Sequence, residues 1–175
     1  MGVSLCYLMI KNQGCGWAEF QAGNFTGQVS YITRAPADLL TAAIEFVKTK
    51  KPQAVYFDEE GSSFIFVLSE YESYVIAERE TSELYVLNQS WTSLIKEILE
   101  DIKTETTDRW AESFCLDERD FRNLRGELNN LVRQLETLLG QNHKQQKKKH
   151  SKSDTNKNRN GQKTIPDSKA TETRP

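Results

Sequence analysis

The sequence predicts an α+β fold, in which an antiparallel meander sheet of about five or six strands packs with one helix after the first hairpin and with two C-terminal helices. Short runs rich in aromatic and β-branched residues follow one another with brief polar turns, which leave no room for crossover helices. Apolar residues at helical spacing mark one segment between these runs and two segments after them. The chain of 175 residues suits a single hydrophobic core.

Charge divides the chain near residue 140. Residues 1–140 carry 13 Lys and Arg against 22 Asp and Glu, a net charge of −9, whereas residues 141–175 carry 10 against 3, a net charge of +7. The second segment holds too little apolar surface to offset the entropy of ordering its backbone. We therefore expect one domain over residues 1–140 and a basic, disordered tail over residues 141–175.

The N-terminal part predicts a first strand followed by a hairpin. Residues 3–10 are apolar, but they are too few to span a bilayer and no basic flank precedes them, which favours a strand over a signal peptide or a membrane helix. Residues 17–21 and 28–33 partly alternate apolar and polar side chains around glycines, which is typical of a hairpin.

A helix is predicted from Pro36 to Lys50, because proline suits the first turn and the chain meets Lys51-Pro52 at the other end. The next runs, residues 54–57, 63–68, 74–80 and 84–87, predict the strands of the meander. Both alternating faces of the run at residues 63–68 are apolar, which favours a central strand covered on two sides, with the helix as a candidate cover for one of them.

Two helices are predicted at the C-terminal end of the domain. Ser90 is a good N-cap for the first and Asp117 for the second, and Gly140 is expected just past the end of the second. The second helix places Phe121, Leu124, Leu128, Leu131, Leu135 and Leu138 at spacings of three and four. This seam favours packing on the domain's own core, since it covers only about two and a half heptads. The alternative is a coiled coil, so the chain is expected to be a monomer or a homodimer through residues 117–139.

Cysteine usage predicts a reducing compartment. Cys6, Cys15 and Cys115 form no CxxC pair and leave an odd thiol, unlike the disulfide framework of a small secreted domain. We expect a cytoplasmic protein that does not enter the membrane.

The residues that usually carry catalysis or bind cofactors are missing from the expected domain. Both histidines, His143 and His150, lie in the tail, and the glycines at 14 and 16 fit neither nucleotide-binding pattern. No catalytic, cofactor or metal site is therefore predicted, and the protein is not expected to be an enzyme. A pair of carboxylates acting as a hydrolase, or a site for a hard cation, is the alternative that remains open.

Acidic and tyrosine side chains gather on the later predicted strands. We expect Glu70, Glu72, Glu78 and Glu80 to form a negative surface beside Tyr74 and Tyr85. Acids steer a basic partner and tyrosines anchor it, so this pattern indicates a binding surface for a basic protein. The alternative is that the acids are a solvated face and the tyrosines pack between strands.

A second functional prediction concerns the tail. Lys144, Lys147, Lys148 and Lys149 indicate weak, salt-sensitive binding to nucleic acid. The tail has no interleaved aromatic residues for base stacking, so no sequence-specific recognition is expected.

The order of elements resembles that of small uncharacterised bacterial single-domain proteins, some of which accompany polymorphic toxins as immunity proteins. The resemblance spans residues 16–139 and rests on Trp17 in the hairpin, the helix opened by Ala35-Pro36-Ala37-Asp38-Leu39-Leu40, the meander, Trp91, Trp110 and the leucine-rich last helix. The resemblance implies an immunity-like role and no particular functional residue. Together with the net charge of −9 and the lack of histidine in the domain, it favours a noncatalytic protein that binds a basic partner, such as a nuclease toxin, through its acidic sheet. The runner-up is a nucleic-acid-associated adaptor that uses its Lys-rich tail.

Overall fold

The computed structural model describes residues 8–114 and 117–157, with side chains described as far as residue 141. The α+β fold class is confirmed, and the chain divides between residues 139 and 140 into two units, the first of which holds the hydrophobic core. The strands are β1 Leu8–Gly14, β2 Trp17–Ala22, β3 Phe25–Ser30, β4 Gln53–Asp58, β5 Ser63–Leu68, β6 Ser73–Glu78 and β7 Ser82–Leu87. The helices are α1 Ala35–Thr49, α2 Trp91–Thr104, α3 Thr107–Phe114 and α4 Glu118–Lys157.

The first sheet is antiparallel and has the order β1-β2-β3. Its β2–β3 part is the predicted hairpin, although β3 begins and ends three residues earlier than expected. The apolar N-terminal run contributes residues 8–10 to β1, and residues 3–7 lie outside the described part of the chain. Gly14, Cys15 and Gly16 join β1 to β2 with φ angles of 84°, 53° and 84°, a left-handed conformation that glycine adopts without steric cost.

The second sheet contains the predicted meander, in the order β4-β5-β6-β7. The single sheet of five or six strands is wrong, because α1 separates β3 from β4 and no strand pairing joins the two sheets over the described residues. The sheets instead pack through Phe20 of β2, whose ring centroid lies 5.3 Å from those of Phe57 and Phe64. Gly27 permits this approach, since a Cβ atom there would lie 2.6 Å from the Phe64 ring.

Helix α1 confirms the predicted helix between Pro36 and Lys50. Most of its surface is buried, including Leu39 and Leu40. It ends where Lys50 turns to a φ of 58° and donates its N–H to the Phe46 carbonyl. The ammonium of Lys50 then lies 3.6 Å from the ring centroid of Trp91, so a cation–π contact ties this end of α1 to the start of α2.

Helix α2 packs along β1, an edge strand of the first sheet. Ser90 is its N-cap, as predicted, and accepts the Ser93 N–H at 3.2 Å. On its β1 side, the carboxylates of Glu97 and Asp101 accept the main-chain N–H groups of Leu8 at 2.7 Å and Ile10 at 2.9 Å. These side chains satisfy donors that an edge strand otherwise leaves open.

Helix α3 is an additional element that the sequence analysis missed, since we expected two helices after the meander. It is short and mostly polar, and Thr106 separates it from α2 with a φ of 64°. Its Trp110 is fully buried, so α3 is held by tertiary packing and not by the helical preference of its sequence.

Helix α4 confirms the predicted cap at Asp117, which accepts the Asp120 N–H at 2.8 Å. Leu128 and Leu135 are fully buried and other residues of the seam pack against the core, which agrees with the favoured interpretation of core packing. The predicted end at Gly140 is wrong: the backbone stays helical to Lys157, because the following Gln- and Lys-rich segment favours helix and a single glycine costs about 1 kcal/mol. The helix over residues 141–157 differs from the disorder expected for the tail, which stays a prediction for residues 158–175 because they lie outside the described residues.

Over the residues that the structure describes, no helix combines the length and apolarity needed to cross a bilayer.

Candidate functional site

The side of the second sheet that points away from the core, called here the outer face, is apolar over two of its three rows of side chains. Strand register places the outward side chains in rows, because successive residues of a strand alternate between faces. One row joins Ala54, Val67, Tyr74 and Val86, and the next joins Tyr56, Ile65, Ile76 and Leu84.

Solvent reaches most of these side chains. Leu84 is 63 %, Tyr56 52 % and Val86 40 % exposed, while Ile65 and Ile76 between them are half-buried. Single exposed apolar residues are common on proteins, but contiguous apolar patches usually mark an interaction site.

The expected cover on both sides of the central strand is therefore wrong. Strand β5 is central, and its core-facing side chains are Phe64, Phe66 and Leu68. On the other side neither Ile65 nor Val67 belongs to the core, although Val67 is only 8 % exposed. The sequence signal was correct in showing two apolar sides. It was misinterpreted, because an apolar binding surface and a buried sheet face have the same composition.

Acids flank the outer face at two opposite ends. Glu70 and Glu72 lie in the turn before β6, whereas Glu78 and Glu80 lie at the end of β6 and in the turn after it. All four are exposed. The six residues of β6 hold the two pairs roughly 17 Å apart, so the expected single acidic surface is two separate acidic ends.

The two tyrosines predicted for this surface lie on opposite faces. Tyr74 belongs to an outer row, where it pairs with Val86. Tyr85 pairs with Val75 on the core side, and its ring centroid lies 5.2 Å from that of Phe25. Its inclusion in the surface is corrected, because neighbouring residues of β7 point to opposite sides of the sheet.

Basic side chains avoid this surface. The third outward row contains Asp58, Ser63, Glu78 and Ser82, so none of the twelve outward positions of the described strands β4–β7 is Lys or Arg. Arg79 is adjacent in sequence, but its guanidinium donates to Glu59 and to the Thr26 carbonyl of the first sheet.

Glu59 and Arg79 form a clasp between the two sheets. The side chain of Glu59 is 7 % exposed and accepts the Gln28 N–H at 2.9 Å, the Ser62 hydroxyl at 2.7 Å and two bonds from Arg79 at 3.0 and 3.2 Å. Burial opposes ionisation of Glu59, but the hydrogen bonds from Arg79, Ser62 and Gln28 outweigh it and hold its pKa below the ordinary value. The clasp fixes the second sheet, and hence its outer face, to the rest of the domain.

A groove of about 540 Å³ adjoins the outer face, between the edge of β4 and helix α1. One wall is residues 53–56 of β4, and the other consists of residues 32–34 with Asp38, Thr41 and Ala42 of α1. Ala54 and Tyr56 line the groove and also belong to the outer face, so the two features are continuous.

Asp38 is the carboxylate of this groove. Burial raises its pKa, Arg34 acts in the opposite direction, and the nearby Glu127 raises it further. The guanidinium of Arg34 pairs with Glu127, and no salt bridge of the described residues includes Asp38.

Two further predictions concern metal ions and nucleic acid. No group of three or more His, Cys, Asp or Glu side chains in the described part of the chain is arranged to hold a metal ion. The side chains of Lys144, Lys147, Lys148 and Lys149, predicted to bind nucleic acid, lie outside the described residues.

Most of this surface was not predicted from the sequence, including Tyr56, Ile65, Ile76, Leu84 and Val86. The alternation of apolar residues on each strand was visible, but only register shows that they form continuous rows. No protein-family model, curated protein or solved structure matches the chain.

Proposed function

We propose that the protein is a noncatalytic module that binds a basic protein partner on the outer face of its second sheet. The observation that carries the proposal is the pair of apolar rows, which are exposed at Tyr56, Leu84 and Val86, flanked by acids and free of Lys and Arg. An apolar centre supplies the binding free energy, while charges at the margin steer the partner and set its orientation.

Charge favours a partner of another kind over a second copy of this chain. Acids lie at both ends of the outer face, with Glu70 and Glu72 at one and Glu78 and Glu80 at the other. Two copies packed through this face along parallel or antiparallel strand directions would bring acids against acids. A partner with basic residues around an apolar patch has the complementary pattern, as a toxin that binds nucleic acid would.

The arrangement of carboxylates supports a noncatalytic role. Glu70, Glu72, Glu78 and Glu80 are exposed and lie near opposite ends of β6. The buried carboxylate of Glu59 is already engaged by Arg79, Ser62 and Gln28. A carboxylate pair in a glycosidase needs two groups held within about 5–10 Å of each other around the substrate.

The test is capture of partners from the native cell by the full chain and by two variants of equal charge. Leu84→Lys places a cation in one of the two apolar rows of the outer face, at a side chain exposed enough to leave the fold intact. Gln134→Lys makes the same change on the exposed side of α4 and serves as the control. Proteins bound by the wild type and by Gln134→Lys, but lost with Leu84→Lys, are quantified by mass spectrometry.

Reversing the charge of the acidic side chains separates the contribution of electrostatic steering to partner binding from the contribution of the apolar rows. Reversal of the charges of Glu70 and Glu72, or of Glu78 and Glu80, is expected to slow association with the captured partner and to weaken its salt dependence. Equal capture by all variants, with unchanged salt dependence, would exclude the outer face as the binding surface.

A further inference from the structure

The groove beside β4 exposes main-chain hydrogen-bonding groups. The Glu59 N–H donates to the Ser62 carbonyl at 2.9 Å, in the same register as the β4–β5 ladder. In an antiparallel pair, hydrogen-bonded and non-hydrogen-bonded positions alternate. Counting back from Glu59 along β4, the N–H and C=O groups of Ala54 and Tyr56 therefore point away from β5 and into the groove.

These outward groups have no partner over the described residues. No hydrogen bond beyond the β4–β5 ladder reaches the main chain of Ala54 or Tyr56. The edge of β1 differs, because Glu97 and Asp101 of α2 satisfy its donors. Of the β1 and β4 edges, it is therefore the β4 edge, beside the groove, whose outward main-chain groups have no partner among the described residues.

The groove has the dimensions and walls that an extended peptide requires. Its β4 wall of four residues is roughly 13 Å long, and its volume lies within the usual range of ligand sites. The α1 wall presents Asp38, Thr41 and Ala42, whose spacing of three and four puts them on one side of the helix. A groove between a strand edge and a helix is a common geometry for binding a peptide as an added strand.

We infer that an extended segment of the basic partner pairs with the open edge of β4 in this groove and places one Lys or Arg side chain against Asp38. The inference rests on the proposed function, because the partner is the same and because Ala54 and Tyr56 belong to both surfaces. Charge complementarity selects the occupant: Asp38 forms no salt bridge among the described residues, and Arg34 beside it is engaged by Glu127.

The main chain of the added segment supplies affinity, and its basic side chain supplies selectivity. Every second residue of the segment faces the outer side of the sheet, where the exposed ring of Tyr56 and the side chain of Ile32 offer apolar contacts. A cation beside Asp38 favours the ionised carboxylate, in the same direction as Arg34 and against the repulsion from Glu127.

The test uses the full chain as bait for a random library of displayed peptides of about eight residues, a length that exceeds the four-residue wall. Enriched peptides are expected to share a Lys or Arg next to β-branched residues. Ala54→Pro removes the outward N–H without touching the β5 ladder, and it is expected to weaken binding by about tenfold or more. Asp38→Asn is expected to weaken it by about tenfold, since a charged hydrogen bond is lost.

A double-substitution cycle identifies the predicted ion pair without depending on the fold of any one variant. Replacing the basic residue of an enriched peptide with methionine should cost as much as Asp38→Asn, and combining the two changes should cost little more than either alone. Additive losses, binding that is insensitive to Ala54→Pro, or the absence of any enriched peptide would overturn the inference.

The variant Leu84→Lys separates this inference from the proposed function. Peptide binding in the groove should survive Leu84→Lys, because that side chain lies on β7 at the far edge of the sheet. Capture of the intact partner should be lost with Leu84→Lys even if the groove proves empty. If the peptides lose binding with Leu84→Lys and not with Ala54→Pro, they bind the outer face. That result would overturn the inference that the groove binds an added strand.

Discussion

Removal of the Glu59 carboxylate is expected to destabilise the domain, because this side chain joins the two sheets. Glu59→Ala leaves the Gln28 N–H of β3 and the Ser62 hydroxyl without their acceptor, and Arg79 keeps only its bond to the Thr26 carbonyl. Glu59→Gln is the informative companion, since its amide oxygen still accepts one of these bonds while the negative charge is lost.

The magnitude follows from the exposure of each group. A part-buried main-chain donor left unpaired costs about 1–3 kcal/mol. The side chain of Arg79 is 44 % exposed, so its ion pair is screened by water and contributes about 1 kcal/mol or less. We therefore expect Glu59→Ala to lower the free energy of unfolding by about 2–4 kcal/mol and Glu59→Gln by about 1 kcal/mol.

The assay is urea unfolding monitored by the fluorescence of tryptophan, since Trp110 is fully buried. The pKa of Glu59 is lower in the folded protein than in the unfolded chain, so its stabilising contribution is complete above the unfolded pKa of about 4.3 and is lost as the pH falls through the folded pKa. The difference between the wild type and Glu59→Gln should accordingly shrink as the pH is lowered below about 4.

Two results would refute this account of the clasp. One is a free energy of unfolding of Glu59→Ala within about 0.5 kcal/mol of the wild type, the range of ordinary surface substitutions. The other is a difference between wild type and Glu59→Gln that stays constant over the acidic range.

Further predictions concern the β1 edge, the contact between the sheets and the tail. Burial raises the pKa of Asp101, so Asp101→Asn should be neutral or stabilising near pH 7 and should lose its advantage as the pH falls through that raised value. Asp101→Leu should cost about 1–3 kcal/mol, because the Ile10 N–H is left unpaired; urea unfolding at two pH values checks both variants. Gly27→Ala should cost about 1–3 kcal/mol, because the new methyl group meets the Phe64 ring, while Gly126→Ala, in open space on α4, should stabilise by up to about 1 kcal/mol. Deletion of residues 141–175 should abolish salt-sensitive binding to RNA or DNA in a filter-binding assay if the tail is the nucleic-acid site, and it should leave capture of the protein partner intact.

Local sequence patterns were sufficient to predict many of the elements. The caps at Ser90 and Asp117 and the end of α1 before Pro52 depend on interactions within a few residues, so they can be inferred without tertiary information. The same reasoning failed at Gly140, where a single glycine in a segment of good helix formers does not end the helix.

The candidate site depended on contacts that local patterns do not specify. The acids were recognised, but Glu72 and Glu78 belong to opposite ends of β6, and separation along a strand cannot be judged from composition. Tyr85 was assigned to the wrong face, because a shift of one residue in register exchanges the two sides of a strand.

The sequence by itself determined the α+β class, the predicted α1 and α2 helices, and the apolar alternation of the meander strands, because each follows from periodicity and short-range hydrogen bonding. Tertiary structure alone decided that the strands form two sheets, that the outer face is uncovered over the described residues, and that a groove follows the edge of β4. The physical reason is that a strand has the same preference for apolar partners on either side. Which side receives the core is settled only when Phe20 and Gly27 bring the first sheet against the second.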